Sequence, residues 1–232
     1  AGLAFKLVHA VVKACRELNQ PPSAHDYDLR PLLDLVALGT IADLVPLVDE
    51  NRILVTAGLK RLNQTRRAGL LALMEIAQVR DQLGVFEISF QLGPRINAAG
   101  RLVNADTALR LMLSEDLEEA RQLARELDEH NRQRQLIERS IAEEAVGSIR
   151  SRFDPSKDFV IVQGDDAWHV GVVGIVAWRV LRECYRSTII LGGEGSELRG
   201  SGRSVEGFDL AEALRSCDDL LERHGGHAMA AG

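Results

Sequence analysis

Residues 159–191 read FVIVQGDDAWHVGVVGIVAWRVLRECYRSTIIL. Two short apolar runs, Phe159–Gly164 and Ser187–Leu191, flank a longer segment, Val170–Cys184, that has the length and composition of a helix. Strand, helix, strand in that order defines an α/β unit. Glu197–Ser204 (ELRGSGRS) extends the pattern as a further strand, and Phe153, Asp154 and Pro155 mark its start. The final stretch, His224–Gly232, stops in mid-pattern with no closing helix or strand, so the chain reads as cut at that end.

Working outward, residues 116–152 contain no proline and a single glycine, Gly147. Leu117, Ala120, Ala124 and Leu127 form an apolar stripe, which returns at Ile137, Ile141 and Ala145. Between them Asn131, Arg132, Gln133 and Arg134 are all polar. A long helix that loses its stripe halfway reads as a connector, solvated where it crosses between two bodies. Earlier residues are helix-rich: an amphipathic helix over 1–19, a helix and a second short helical start within 29–47, then helices at 51–63 and 69–78. Phe86–Arg101 (FEISFQLGPRINAAGR) carries a Gly-Pro break and reads as a functional loop. The fold class is α/β, divided as helix-rich material over 1–103, connector helices over 104–154 and a smaller α/β domain over 155–232.

The 232 residues suffice for two domains, and 46% of them are apolar, which is ample for two cores. No uncharged run approaches the ~18–20 residues needed to cross a bilayer, so no membrane partner is expected. The opening helix, with Lys6, Lys13 and Arg16 among its apolar residues, is neither a secretory signal nor a transit peptide. Entering helix directly from Ala1 reads as the interior of a longer protein. Cys15, Cys184 and Cys217 show neither paired nor zinc-type spacing and fit a reducing cytoplasm. A net charge of −6 excludes nucleic-acid binding over the whole surface and leaves only a local basic cleft.

Four constellations could carry chemistry. In Gly39–Leu47 (GTIADLVPL), Asp43 stands within an apolar run. Its T-x-x-D spacing from Thr40 favours a helix-start capping box, and a manganese or magnesium ligand is the other reading. Gly93–Arg101 (GPRINAAGR) offers Arg95, Asn97 and Arg101, and guanidinium forks suit phosphate. The alternative is a solvated loop whose arginines pair with acids of the long helix. Gly200–Ser204 (GSGRS) combines backbone N–H groups with Ser201, Arg203 and Ser204 for an oxyanion, or is a glycine-rich turn. His224–Gly232 presents Gly226 and His227, and Trp168-His169 precedes the apolar helix; each histidine alone reads as structural.

Together "LVALGTIADLVPL", "LGPRINAAGRL", "WHVGVVGIVAWRV", "GSGRSVEGFDL" and "GGHAMAAG", in that order and spanning nearly the whole chain, resemble the RecJ family of the DHH phosphoesterase superfamily. The resemblance implies the rear part of a DHH catalytic domain, a linking helix and a DHH-associated domain, with a strand held in the cleft between them. It implies a 5′-to-3′ hydrolase of single-stranded DNA using Mn2+ or Mg2+, acting in DNA repair and recombination as a cytoplasmic monomer. It makes Asp43 a metal ligand and sets Arg95 and Arg101 near the scissile phosphate. Ser201, Arg203 and Ser204 grip the 5′-terminal phosphate beside His227, with Asn97, His169 and Gly226 as further substrate contacts. The family's aspartate-rich strand end and Asp-His-His triplet are missing, and His25-Asp26-Tyr27-Asp28 has neither their order nor their context. This polypeptide alone is therefore expected to be inactive. The alternatives are a phosphodiesterase of short oligonucleotides or cyclic dinucleotides, and a DNA-binding relative without chemistry.

Overall fold

The structure is a computed structural model that describes residues 1–193 and 197–232. It divides into two compact units, Ala1–Asn131 and Arg132–Gly232.

The first unit is helical: α1 (Gly2–Leu18), α2 (Leu33–Ala42), α3 (Asp49–Leu62), α4 (Ala68–Ile76), α5 (Val85–Glu87), α6 (Gly93–Leu102), α7 (Asp106–Leu113) and the first half of α8 (Leu117–Arg152). Its core joins Leu38, Ile41, Leu62, Leu70, Leu73, Ile88, Leu92 and Leu111 to Ala120, Leu123, Ala124 and Leu127 of α8. Helix α2 is apolar around most of its circumference, with Val36, Ala37, Leu38, Thr40 and Ile41 all buried, so its position is set by packing on several sides. The tight turn and second short helical start expected within 29–47 are not seen: α2 runs unbroken through Gly39 to Ala42, Leu44 turns left-handed at φ 54° and Pro46 follows.

The expected loop at Phe86–Arg101 is instead continuous helix. One turn of α5 leads into a π-helical turn, Ile88–Leu92, and then directly into α6. Gly-Pro does not break it because Pro94 directly follows the π turn, where Gly93 N–H donates to Ile88 O and the ordinary bonding ladder is already interrupted. Gly93 lets α6 approach α2 closely, since a Cβ there would lie 3.2 Å from that of Ala42.

The second unit contains the rest of α8, β1 (Val160–Gly164), α9 (Val173–Cys184), β2 (Ser187–Gly192), β3 (Arg199–Arg203), α10 (Leu210–Arg215), β4 (Gly226–His227) and β5 (Ala230–Ala231). The sheet order is β1-β2-β3-β5-β4. β1 and β2 are parallel, joined through α9, and the remaining pairs are antiparallel. Ile141, Ala142, Ala145 and Ile149 of α8 pack with Val173, Val176, Ala177 and Val180 of α9 and with Ile161, Trp168 and Ile190.

The polar middle of α8 is not simply solvated. Asn131 is buried, and Arg134 donates to Glu138 at 2.7 Å with side chains only 11% and 14% exposed. Long polar side chains that find each other along a helix can be withdrawn from water without an apolar stripe.

Candidate functional site

Asp43 is the C-cap of α2, not an N-cap. This excludes the capping box, because a carboxylate there faces no free N–H groups. The helix closes behind it with Val45 N–H donating to Thr40 O at 3.2 Å and Leu44 N–H to Ile41 O at 3.0 Å. That closure places C′ in the left-handed region, where glycine is usual. Leu44 occupies it at φ 54°, at a strain of about 1–2 kcal/mol. Asp43 itself is exposed and sits at the negative end of the helix dipole, where an acid is disfavoured and a cation welcome. Strain and charge placement both fit a cation ligand better than a structural cap.

Beside Asp43 a cavity of about 300 Å3 is lined by Leu35, Leu38, Ala42, Ile96, Met112 and Asn97. Asn97 and Arg101 lie one turn apart on α6 and are both exposed. Arg95 faces elsewhere: its Nε donates to Asp128 at 2.8 Å and its Nη1 to Gln91 O at 2.7 Å, with the side chain 19% exposed. The pairing with an acid of the long helix, weighed above as the alternative, is what Arg95 does. The structure thus separates two arginines that the sequence left equivalent.

In the second unit, residues on neighbouring strands in register share a sheet face. One such row runs Ile161, Thr188, Arg203, Ala230, His227. Its start is buried in the core with α9 and its end, His227, is exposed. Ser201 is on the same face as Arg203, whose Nη1 donates to Ser201 Oγ at 3.2 Å and to Gly202 O at 2.7 Å. The first turn of α9 meets this pair, since a Cβ on Gly174 would lie 2.9 Å from Ser201 Oγ and 3.1 Å from Arg203 Nη2. A guanidinium and the positive end of a helix dipole therefore converge, an arrangement suited to an anion. His227 stands two strands from Arg203, about 10 Å by strand spacing. Gly226 beside it has φ +141° and Ala230 O within 2.5 Å of any added Cβ, so no other residue fits there.

Ser204 is corrected from a phosphate-gripping residue to a support. It is buried at 3% exposure, and its hydroxyl bonds Ser187 Oγ at 3.0 Å and Phe208 O at 2.7 Å. Strand alternation turns it away from Ser201 and Arg203. His169 Nδ1 accepts the Gly171 N–H at 3.0 Å, and its ring lines a different cavity of about 320 Å3 with Glu197 and Arg199. Gly174 is the contributor that sequence reading missed. The available signal was a Gly-x-x-Gly pair, Gly171 and Gly174, opening a helix, which is a pattern suited to close anion approach.

Among the described residues no group of three or more His, Cys, Asp or Glu side chains could hold a metal ion. Asp43 offers one carboxylate, so the residues present do not by themselves fit a divalent centre.

A mixed sheet with Ser201 and Arg203 set against the N-terminus of α9, beside a helical unit that carries Asp43, points to the class: residues 157–232 match the DHHA1 domain family. Over its whole length the chain is a homologue of part of RecJ. It is 42% identical to the single-stranded-DNA-specific exonuclease RecJ of Bacillus subtilis, covering 100% of this chain and 28% of that protein. With the Salmonella typhimurium RecJ the identity is 43%, covering 100% and 42%. The crystal structure of Thermus thermophilus RecJ in complex with Mg2+ superposes with a TM-score of 0.79 at 40% identity, covering 88% of this chain and 31% of that one. An exonuclease RecJ bound to manganese gives 0.74 at 38% identity, covering 94% and 52%. The chain spans 28% and 42% of the length of these two curated relatives.

Proposed function

We propose that the chain is the strand-holding part of a single-stranded-DNA exonuclease, with the Ser201–Arg203 pocket taking the 5′-terminal phosphate. The observation that carries this is the close approach of Ser201, Arg203 and the α9 N-terminus, which together suit a compact anion. Ser201 donates a hydroxyl and Arg203 a fork, while Gly174 keeps space open between them. Ser204 holds β3 in place from the opposite face. His227 borders the same face farther along and meets the first nucleotide. His169 and Gly226 shape the two loops, one before α9 and one in β4.

Arg101 and Asn97 contact backbone phosphates near Asp43, and Arg95 positions α6 through Asp128. In a protein of the relatives' length, Asp43 supplies one carboxylate to a Mn2+ or Mg2+ centre whose other ligands the described residues do not contain. Phosphate contacts without base contacts give preference for strand type and not for sequence. The resemblance adds a monomeric protein of the cytoplasm working in DNA repair and recombination. Three free cysteines agree with that compartment, and among the described residues no helix is long and apolar enough to cross a membrane.

The test is binding of this chain to matched oligodeoxynucleotides with a 5′-phosphate or a 5′-hydroxyl. Tighter binding of the phosphorylated strand, lost in Arg203→Ala, is expected. Equal affinity for the two ends in the unaltered chain removes the pocket from end recognition.

A further inference from the structure

Within the second unit, α8 and α9 form the walls of an open groove of about 830 Å3 that none of the residues above use. Four arginines line it, Arg139 and Arg150 from α8 and Arg179 and Arg182 from α9, against two glutamates, Glu143 and Glu183. Arg150 pairs with Glu183, and Arg179 lies 3.6 Å from Glu138. Arg139 and Arg182 have no acid partner among the described residues. In a chain of net charge −6 this is a local positive surface.

Trp178 lies in the same groove, 48% exposed. The guanidinium of Arg182 stacks over its ring at 4.8 Å. A large aromatic left half in water, with a cation on it, is an open stacking platform. Gly147 adds an independent sign. It lies inside the 36-residue helix α8, where glycine is disfavoured, and an added Cβ would meet nothing within 4 Å. Packing therefore gives no reason for it, whereas a ligand entering the groove does. From Arg139 to Arg150 the helix rises about 16 Å, which spans about four to five nucleotides at stacked spacing.

We propose that this groove binds the interior of a single-stranded polynucleotide, one base stacking on Trp178 and its flanking phosphates meeting Arg139 and Arg182. Alternation of an aromatic platform with guanidinium groups favours this ligand over an acidic peptide, which needs the charges and not the ring. The proposal extends the function above, but it requires no strand end. A circular oligothymidylate therefore tests it separately from the Ser201–Arg203 reading.

The readout is tryptophan emission of the full chain, in which Trp168 is buried at 3% exposure and Trp178 is the responsive ring. The circle is expected to quench emission, and Trp178→Phe to abolish the quench. Arg139→Ala with Arg182→Ala should weaken binding at least tenfold and flatten the log-log salt slope by about 0.7 per arginine. Gly147→Leu should raise the melting temperature while lowering affinity. Absence of quenching by the circle, or quenching unaltered in both the arginine and Gly147 variants, overturns the proposal. Polyglutamate displacing the circle at equal charge overturns it too, in favour of a protein-docking surface. Loss of 5′-phosphate preference with circle binding intact bears on Ser201 and Arg203 alone.

Discussion

Gly174→Ala should separate folding from phosphate recognition. The added methyl would stand 2.9 Å from Ser201 Oγ and 3.1 Å from Arg203 Nη2. Both are ends of side chains that can rotate aside, and a departure of about 30° from a rotamer well costs about 0.5–1.5 kcal/mol. In the other direction, Gly174 is the second residue of α9, where replacing glycine by alanine stabilises by about 0.4–1 kcal/mol through the less flexible unfolded chain. The two effects nearly cancel, so the melting temperature should move by no more than about 2–4 °C. Recognition should not be spared, because a guanidinium pushed from its place loses a charge-assisted hydrogen bond of about 1.5–3 kcal/mol. That corresponds to about 10- to 150-fold in affinity. Thermal unfolding and anisotropy titrations with 5′-phosphorylated and 5′-hydroxyl oligonucleotides measure both quantities. A folded variant that still prefers the phosphorylated strand as strongly as the parent chain would refute the pocket. Gly192→Ala is the contrasting control: its Cβ would lie 2.3 Å from the Trp168 backbone oxygen, which cannot rotate away, so stability should fall.

Three further outcomes follow from the same geometry. Arg95→Ala removes a 2.8 Å bond to the buried Asp128 and should destabilise the first unit by about 1.5–3 kcal/mol; an unchanged denaturation midpoint would show that the pair contributes nothing. Asp43→Asn takes a negative charge from the C-terminal end of α2 and should raise stability at neutral pH by about 0.3–1 kcal/mol, while in a protein of the relatives' length it should abolish metal-dependent cleavage. Retained cleavage would end its assignment as a ligand. Burial, reinforced by the charge of Glu183, pushes the Cys184 thiol up, so at a given pH less of it is thiolate than of an ordinary thiol. Iodoacetamide near pH 8.5 should modify it more slowly than the exposed Cys217, and equal rates in peptide mapping would contradict the shift.

The α/β half of the chain was legible because its signals are local. Ile161, Ile190, Val173 and Val176 recur at strand and helix periods that place them in one core, and no distant residue is needed to infer that pattern. Residue types made Ser201, Arg203 and Ser204 candidates beside a glycine-rich turn, and only the resemblance favoured the phosphate site. They could not exclude Ser204, because the turn from one sheet face to the other depends on where β3 ends. The capping box failed for a related reason. T-x-x-D has the same spacing at either end of a helix, and only the left-handed Leu44 shows that Asp43 closes α2.

Arg95 and Arg101 were harder, because the segment that carries them reads as a loop at its Gly-Pro pair. The chain instead passes from a π turn at Ile88–Leu92 straight into α6. Six residues at about 100° each then set Arg95 and Arg101 about 120° apart around that helix. Arg95 meets Asp128, and Asn97 and Arg101 are exposed. Turns of the π type are scarce in helices and concentrate at functional sites, and nothing in the residues ISFQL announces one. The division of labour between two arginines six positions apart follows from ordinary helical spacing once the segment is helix, and that it is helix through Gly-Pro could be read only from the fold.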